Sequence, residues 1–225
     1  MIIALDIETM ADAERVAAMP EPEVKLGNLV DPVKIRAKKD EAKAEQLASA
    51  ALSPMTGRVI CAGMVFGMPS DRNNAIVLPA VNDATEFKLL QFVFDTISDP
   101  ECRLITFNGA QFDLPFIYRR AMMLGVEPKH FGAPPLTTWT KRYGNDRHID
   151  LLPAWCGSDS TAAFKGNSLG AVAQAILGET REEEEYEKFP EMMQTAEGRA
   201  HIEAACLHHT ELTYRIYERA LGTLF

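Results

Sequence analysis

Two acidic residues separated by a single position end the first apolar run of the chain, "IIALDIE" at residues 2–8. The run predicts a short buried strand, and side chains two positions apart on a strand point to the same face. Asp6 and Glu8 therefore repel each other unless a cation neutralises them. Because hard divalent cations take oxygen ligands, the pair is a candidate metal site. The alternative is a strand end where both carboxylates are solvated, which is the favoured interpretation for the pair by itself.

A third carboxylate, Asp113, lies in "ITFNGAQFDLPF" at residues 105–116, where a strand pattern runs through an Asn-Gly turn into a helix. It could add an oxygen ligand, or it could merely stabilise the helix N-terminus. Phe112 could stack on a base or ribose, and Asn108 could hydrogen-bond a sugar or a phosphate. By itself this stretch also favours the structural interpretation.

The elements that must position these residues form the pattern of an α/β domain, with a mixed sheet and helices on its faces. The predicted strands are 2–8, 58–67, 74–80, 103–109 and the start of 147–155; the predicted helices are 31–52, 84–99, 111–125, 167–178 and 197–221. Residues 10–30 carry two prolines and no clear period, so they are predicted to be irregular. We expect one domain over residues 1–225, with an insertion at about 10–57.

The composition is that of a globular protein, with 225 residues, 47% of them hydrophobic and 24% charged. It contains no apolar run of about 18 residues and no basic segment ahead of its first strand, so neither a membrane span nor a signal peptide is predicted. Four scattered cysteines are predicted to be buried free thiols, which fits a reducing cytoplasm. They are Cys61, Cys102, Cys156 and Cys206.

The formal net charge of −9 argues against a module that holds nucleic acid by bulk electrostatics. It is compatible with a carboxylate-lined metal site, since the bound cations supply the positive charge. The acidic run at residues 179–188 is interpreted as a solvated face or loop. Asp150 and His148 in "RHIDLL" are assigned a structural role, and Arg147 is predicted to be a solvated loop residue.

The combination of "DIET" at 6–9 with "FNGAQFDLPF" at 107–116 resembles the first two exonuclease motifs of the DEDD superfamily. These proteins are 3′–5′ exonucleases with a ribonuclease-H-like fold. The sequence is most similar to predicted exonucleases related to the proofreading domain of family-B DNA polymerases, a group with many phage-type proteins. The segments at 31–63, 147–155, 168–178 and 206–220 fit the same group, so the resemblance covers most of the chain.

The resemblance implies hydrolysis at a single-stranded nucleic-acid 3′ end, DNA rather than RNA, with two Mg²⁺ or Mn²⁺ ions held by four carboxylates. Asp6 would bridge both ions, Glu8 would bind the ion that activates the attacking water, and Asp113 would bind the other ion. The residues that the resemblance places against the terminal nucleotide are Thr9, Met10 and Phe112.

The third motif of that family departs from its pattern in this chain. The family has Tyr, three residues, then Asp on the last helix, and these two positions fall on Ala205 and His209 in "EAACLHHTELTYRIYERA" at residues 203–220. The tyrosine that would orient the attacking water is thus missing, and a histidine stands where the fourth carboxylate is expected. The neighbouring His208 is predicted to lie at the surface.

Three interpretations of this departure remain open. His209 could replace the aspartate as a ligand, which favours a transition metal because imidazole suits Mg²⁺ poorly. A neighbouring acid could substitute, although Glu211 lies about 200° further round the helix and should face away. In the third interpretation the site has degenerated, and the protein is a catalytically inactive module that binds nucleic acid or another protein.

Overall fold

Five strands form a single mixed sheet at the centre of the molecule. A computed structural model describes residues 1–67, 75–141, 146–157, 161–180 and 184–225. The strands are β1 Ile2–Ala11, β2 Gly57–Gly67, β3 Ala75–Pro79, β4 Arg103–Thr106 and β5 His148–Asp150. Their order is β3-β2-β1-β4-β5, in which β2 is antiparallel to β1 and β3, and β4 is parallel to β1 and β5. This arrangement confirms the predicted α/β class and is consistent with a ribonuclease-H-like fold.

Helices connect and cover these strands. They are α1 Ala13–Ala17, α2 Pro32–Ser49, α3 Asp83–Ile97, α4 Asp113–Leu124, α5 Leu136–Trp139, α6 Leu151–Cys156, α7 Thr161–Phe164, α8 Leu169–Leu177, α9 Phe189–Met192 and α10 Ala196–Ala220. Short 3₁₀ helices occupy Ala50–Leu52, Pro128–Phe131 and Tyr186–Lys188. Within the ranges given above, none of these helices is long and apolar enough to cross a membrane.

The predicted elements are recovered, and most of the differences lie in short helices. Residues 10–30, predicted to be irregular, contain the end of β1 and the single-turn helix α1, which Asp12 caps by accepting from the Arg15 N–H. Asp150 ends β5 and caps α6 in the same way, so the predicted strand start at 147–155 turns at once into a helix. Asn74 of the predicted third strand and residues 181–183 of the acidic run lie outside the described residues.

The two faces of β1 pack against different helices, as the alternation of side chains along a strand requires. Ile3, Leu5 and Ile7 are buried in the apolar cluster formed with α3 and α4. Ala4 faces the other way, into the cluster formed with α8 and α10. By the same alternation, Asp6 and Glu8 lie on the α10 face of the sheet.

Strand β1 extends beyond its parallel neighbour β4, so the later part of β1 is not paired with β4. β4 pairs with β1 only from Ile2 to Ala4, whereas β2 follows β1 from Ile2 to Ala11. Among the described residues, the part of β1 that carries the two carboxylates therefore pairs with no strand on its β4 side. In sheets of this kind ligands bind beyond the carboxyl ends of parallel strands, where the chain direction switches.

Gly63 allows α10 to lie directly on the sheet. This glycine pairs with Asp6 across the β1–β2 ladder. A Cβ atom at position 63 would lie 2.3 Å from Thr210 Oγ1 and 3.1 Å from the carbonyl oxygen of Cys206. The helix is thus in backbone contact with the strand, one turn from His209.

We expect Gly63→Ala to lower the free energy of unfolding by about 1–3 kcal/mol, the usual cost of overpacking a dense interior. The methyl group must push α10 away from β2, since one of the three nearest atoms that it meets, the carbonyl oxygen of Cys206, belongs to the backbone of α10. Urea denaturation followed by circular dichroism measures the loss. Adding Thr210→Ala removes the nearest atom and should restore part of the stability; equal stability of Gly63→Ala and the wild type would show that the helix is not held this close.

Candidate active site

Three side chains with metal-binding atoms meet where α10 crosses β1. His209 Nδ1 lies 2.9 Å from Glu8 Oε1 and 3.9 Å from Asp6 Oδ2. One potential ligand atom from each of Asp6, Glu8 and His209 lies within 4.8 Å of the others. Glu8 and His209 are buried, while 19% of the Asp6 side chain is exposed. Two carboxylates and an imidazole, open to solvent on the Asp6 side, are a donor set that a divalent transition metal accepts.

Asp113 lies next to this three-residue cluster but is not part of it. It is the first residue of α4, it is buried, and its Oδ1 accepts the backbone N–H of Ile7 at 3.2 Å. That N–H lies on the part of β1 beyond the end of β4. The Asp113 carboxylate therefore accepts a hydrogen bond that the carbonyl group of a longer β4 would accept. Burial, and then the charge of Asp6, raise the pKa of Asp113 well above its usual value. A carboxylate whose ionised form is destabilised in this way is typical of sites where a bound cation neutralises the charge.

A pocket of about 350 Å³ opens over the cluster. Of the residues predicted to touch substrate, Thr9, Asn108 and Phe112 line it, together with the four candidate ligands. The Asn108 Oδ1 atom is buried and has no hydrogen-bond partner among the described residues, so it can accept a hydrogen bond from a bound molecule. Met10 does not line the pocket; it packs against a separate apolar cluster that includes Ile60 and Cys61.

Asp150 holds the loop that presents Asn108. The backbone of Asn108 has a φ of 69°, a left-handed conformation that asparagine tolerates. The carboxylate of Asp150 accepts the N–H groups of Asn108 and Ala110 at 2.7 and 2.9 Å, and burial raises its pKa. The structural role predicted for Asp150 fits these contacts.

His148 fixes the neighbouring strand end. Its Nδ1 lies 2.6 Å from the carbonyl oxygen of Trp139 and its Nε2 lies 2.8 Å from Thr106 Oγ1. Burial lowers the pKa of this imidazole, which favours the neutral ring. Arg147 lies just before β5, outside the helices and strands, but the prediction that it is solvated was wrong. Its guanidinium lies over the Trp139 ring and donates to the carbonyl oxygens of Ile97, Asp99 and Cys102, which lie at the end of α3 and in the turn before β4.

The remaining residues of the last helix and the thiols largely follow the predictions. Glu211 is exposed, as its angle around the helix requires, and His208 is partly exposed. All four cysteines are free; Cys61, Cys102 and Cys206 are buried, and Cys156 is partly exposed. Because Glu211 faces away, the histidine at 209 is the residue of this helix that reaches the carboxylates.

Sequence reasoning missed the residues that close the pocket. Tyr186 lines it from the acidic run, and Ala51 and Leu52 line it from the segment between β1 and β2. Tyr186 stacks edge-on against Phe189 with ring centroids 5.2 Å apart. The available signal was an aromatic residue within a run of acids, three positions before a second aromatic, which suggests an anchored turn. Its position at the pocket depends on long-range packing that the run itself does not encode.

A second groove of about 510 Å³ continues from the pocket along α7 and the start of α8. Asp6 and Asn108 line both spaces, and uncharged polar side chains such as Gln111, Asn167 and Ser168 line the second. The carboxylate cluster therefore lies at a junction between two grooves, which can hold a chain-like molecule on both sides of the candidate metal site.

The fold and the site together define a ribonuclease-H-like α/β domain with a cluster of acidic residues and one histidine at the end of its central strands. Residues 53–176, more than half of the chain, match the family described as "Predicted 3′-5′ exonuclease related to the exonuclease domain of PolB". The chain belongs to this family.

Curated relatives are much longer polymerases, and the similarity covers a small part of each. DNA polymerase 1 of Saccharolobus solfataricus is 35% identical over 102 residues, which are 43% of this chain and 12% of the polymerase. The catalytic polypeptide of DNA polymerase epsilon from Candida glabrata is 34% identical over 99 residues, which are 43% of this chain and 4% of that polypeptide. The match thus spans about one eighth or less of each relative.

We expect Asp113→Asn to raise the melting temperature of the metal-free protein at pH 8, measured in EDTA by differential scanning fluorimetry. A carboxyl whose folded-state pKa is raised favours the folded state only at low pH, and that contribution is lost as the pH rises through the folded pKa. The gain from asparagine should therefore shrink as the pH falls towards about 3, below the ordinary aspartate pKa of about 3.9, where the wild-type carboxyl is mostly protonated in both states. Asp95→Asn, at an exposed position, is the matched control. A lower melting temperature for Asp113→Asn at pH 8 would contradict this electrostatic account.

Proposed function

We propose that the protein is a divalent-metal-dependent 3′–5′ exonuclease that removes nucleotides from a single-stranded nucleic-acid end. The observation that carries the proposal is the convergence of Asp6, Glu8 and His209 within 4.8 Å in a pocket of an exonuclease-family fold. DNA is the preferred substrate class, since the curated relatives are DNA polymerases.

The residues present fit a divalent cation. Asp6, Glu8 and His209 would hold it, and Asp113, next to Asp6 in the same pocket, would contribute to a second ion. Bound ions would supply a water of lowered pKa as the nucleophile and would stabilise the leaving 3′-oxygen. Because one donor is an imidazole, the site should favour Mn²⁺ over Mg²⁺.

The pocket supplies the orientation of the substrate. Its volume of about 350 Å³ suits one small-molecule-sized unit, such as a terminal nucleotide, and is far too small for a duplex. The half-buried Phe112 ring can stack on the base or pack on the sugar, and Asn108 Oδ1 can accept a hydrogen bond from a sugar hydroxyl. Thr9, also in the lining, borders the same nucleotide.

Tyr186 takes the place of the missing third-motif tyrosine in this proposal. Position 205 carries an alanine, yet a phenol reaches the same pocket from the turn between α8 and α9. A phenolic hydroxyl can donate to a phosphate oxygen and can accept from, or orient, a water molecule. In this proposal His209 acts as the ligand and Tyr186 as the water-positioning group of the altered motif.

The first test is degradation of a 5′-labelled single-stranded oligonucleotide by the wild type, with Mn²⁺ and Mg²⁺ compared side by side. We expect a 3′–5′ ladder that is stronger in Mn²⁺. His209→Asp should restore an all-oxygen ligand set and lower the Mn²⁺-to-Mg²⁺ activity ratio by roughly tenfold, the lower end of what one altered metal contact costs.

Asp6→Ala is the control for contaminating nuclease, because it removes the carboxylate that lines both grooves. If no wild-type cleavage depends on either ion, the exonuclease proposal fails and the inactive-module interpretation stands. If the wild type cleaves equally well in both ions, His209 is not a ligand.

Tyr186→Phe should lower kcat by roughly tenfold to a hundredfold and leave KM nearly unchanged, since a hydrogen bond made to the reacting groups acts mainly in the transition state. The side chain is 43% exposed, so the melting temperature should not change. Single-turnover cleavage in Mn²⁺ gives the rate. A rise in KM at constant kcat would instead assign Tyr186 to ground-state binding of the terminal nucleotide.

A further inference from the structure

Helix α2 is a polar helix with almost no buried face. It spans 18 residues, and its described side chains are exposed except for a partly covered row at Ile35, Ala42 and Gln46. A helix that is polar on nearly all sides gains little from packing against its own domain. Such a helix is therefore available to a binding partner.

The charge of α2 is opposite to that of the rest of the protein. The helix carries five cations and three acids, a net charge of +2 within a chain whose total is −9. The five cations, called here the basic arm, are Lys34, Arg36, Lys38, Lys39 and Lys43. No acid occurs between Asp31 and Asp40, so four of them form an uninterrupted positive segment.

The cations of the basic arm make few contacts with the rest of the described structure. Lys38 donates to the carbonyl oxygen of Lys25 at 2.8 Å, which fixes the helix on the preceding loop. Arg36 lies 3.9 Å from Asp40, but both side chains are highly exposed, at 87% and 73%, so this pair contributes little to stability. No intramolecular role in the described structure explains a run of exposed cations on an acidic protein.

The basic arm is rigidly connected to the wall of the pocket. α2 runs directly into the 3₁₀ turn Ala50–Leu52, whose Ala51 and Leu52 line the pocket. The two ends of the whole segment are tied together, because the Asp12 N–H donates to the Thr56 carbonyl oxygen at 2.8 Å and Thr56 Oγ1 donates to the Ala50 carbonyl oxygen at 2.8 Å. The position of the helix therefore follows the position of the pocket.

Leu52 adds an apolar contact where the arm meets the pocket. Its side chain is 63% exposed although it lies in the lining. From there to Lys39 the helix extends roughly 20 Å at about 1.5 Å per residue. A stacked strand with the rise of about 3.4 Å per nucleotide that each strand has in a duplex would cover that distance in about six nucleotides, and a more extended strand would need fewer.

We propose that the basic arm of α2 binds the phosphate backbone of the strand whose 3′ end occupies the pocket. The inference rests on the proposed function and assigns it a substrate-length requirement. The arm offsets the repulsion between an acidic body and a polyanion, and it does so only for strands long enough to reach from the pocket past Leu52 onto α2. Shorter strands meet only the metal site.

The test compares a 24-mer and a dinucleotide of deoxythymidine, with Lys34, Arg36, Lys39 and Lys43 changed to Gln. Glutamine is as good a helix former as lysine and arginine, and Lys38 is kept because it anchors the helix. Binding is measured by fluorescence anisotropy with Ca²⁺ as the ion, and cleavage is measured in Mn²⁺. For the 24-mer we expect at least about tenfold weaker binding and a salt dependence reduced by about 3 in the log–log slope, about 0.7 for each lost phosphate contact.

Cleavage of the dinucleotide should change less than about twofold, because only one nucleotide would extend beyond the pocket, whereas Lys43, the nearest cation of the arm, lies nine residues or roughly 14 Å from Leu52. The matched control removes the same charges elsewhere, by changing Lys88, Lys129, Lys141 and Arg219 to Gln; all four are exposed and none lines either groove. The variant Lys34→Arg/Lys39→Arg/Lys43→Arg should bind the 24-mer like the wild type.

The outcomes separate this inference from the function on which it rests. A wild type that cleaves both oligonucleotides, with the α2 variant equally effective on the 24-mer, overturns the inference and leaves the exonuclease proposal intact. Equal loss of 24-mer binding in the matched control also overturns it, since net charge alone would then explain the effect. A wild type that binds the 24-mer through α2 but cleaves neither oligonucleotide supports the arm and refutes the exonuclease.

Discussion

The site depends on the close contact between α10 and the sheet. Two carboxylates on one strand face are destabilising neighbours, and what makes them useful is the helix that brings an imidazole to within 2.9 Å of Glu8. That approach is possible because position 63 has no side chain and the helix backbone lies directly over it. The close packing of α10 on the strand thus determines the geometry of a polar centre, and a change that tilts α10 would alter the arrangement of the three clustered side chains.

The same region contains a carboxyl group, that of Asp113, whose position lowers the stability of the folded protein. Asp113 is buried against the charge of Asp6, a position that costs folding free energy when the carboxyl is ionised. The structure compensates with hydrogen bonds to backbone groups left open where β4 stops short of β1. Asp150, one strand further, uses its buried carboxylate in the same way, to hold the turn at Asn108. The pocket therefore lies where strand pairing stops, and the carboxylates around it accept hydrogen bonds from backbone N–H groups there.

The sequence predicts the helices and strands well because they follow from local patterns of residues. The alternation in "IIALDIE" gives the face of Asp6 and Glu8, and the α4 and α8 helices end at Gly125 and Gly178, which adopt left-handed conformations. The angle of Glu211 around α10 also follows from helix geometry. Contacts between distant segments could not be read in this way. The proximity of His209 to Glu8, the pocket position of Tyr186 and the turn of Met10 into a separate apolar cluster all depend on tertiary packing. The anchoring of Arg147 was missed for the same reason, since its acceptors lie on other elements.

The separation in sequence of the three clustered side chains has a consequence for biosynthesis. Glu8 and His209 are 201 positions apart, so the centre cannot form until synthesis has passed His209 and α10 has docked. Chains grow from the N-terminus at about 5–20 residues per second, and contacts across such a separation form late because a long loop must first close. The carboxylates of β1 would leave the ribosome many seconds before their partner, close to messenger and ribosomal RNA. An incomplete chain lacks the third donor, so the order of synthesis keeps the three-residue cluster from assembling until the last helix is made.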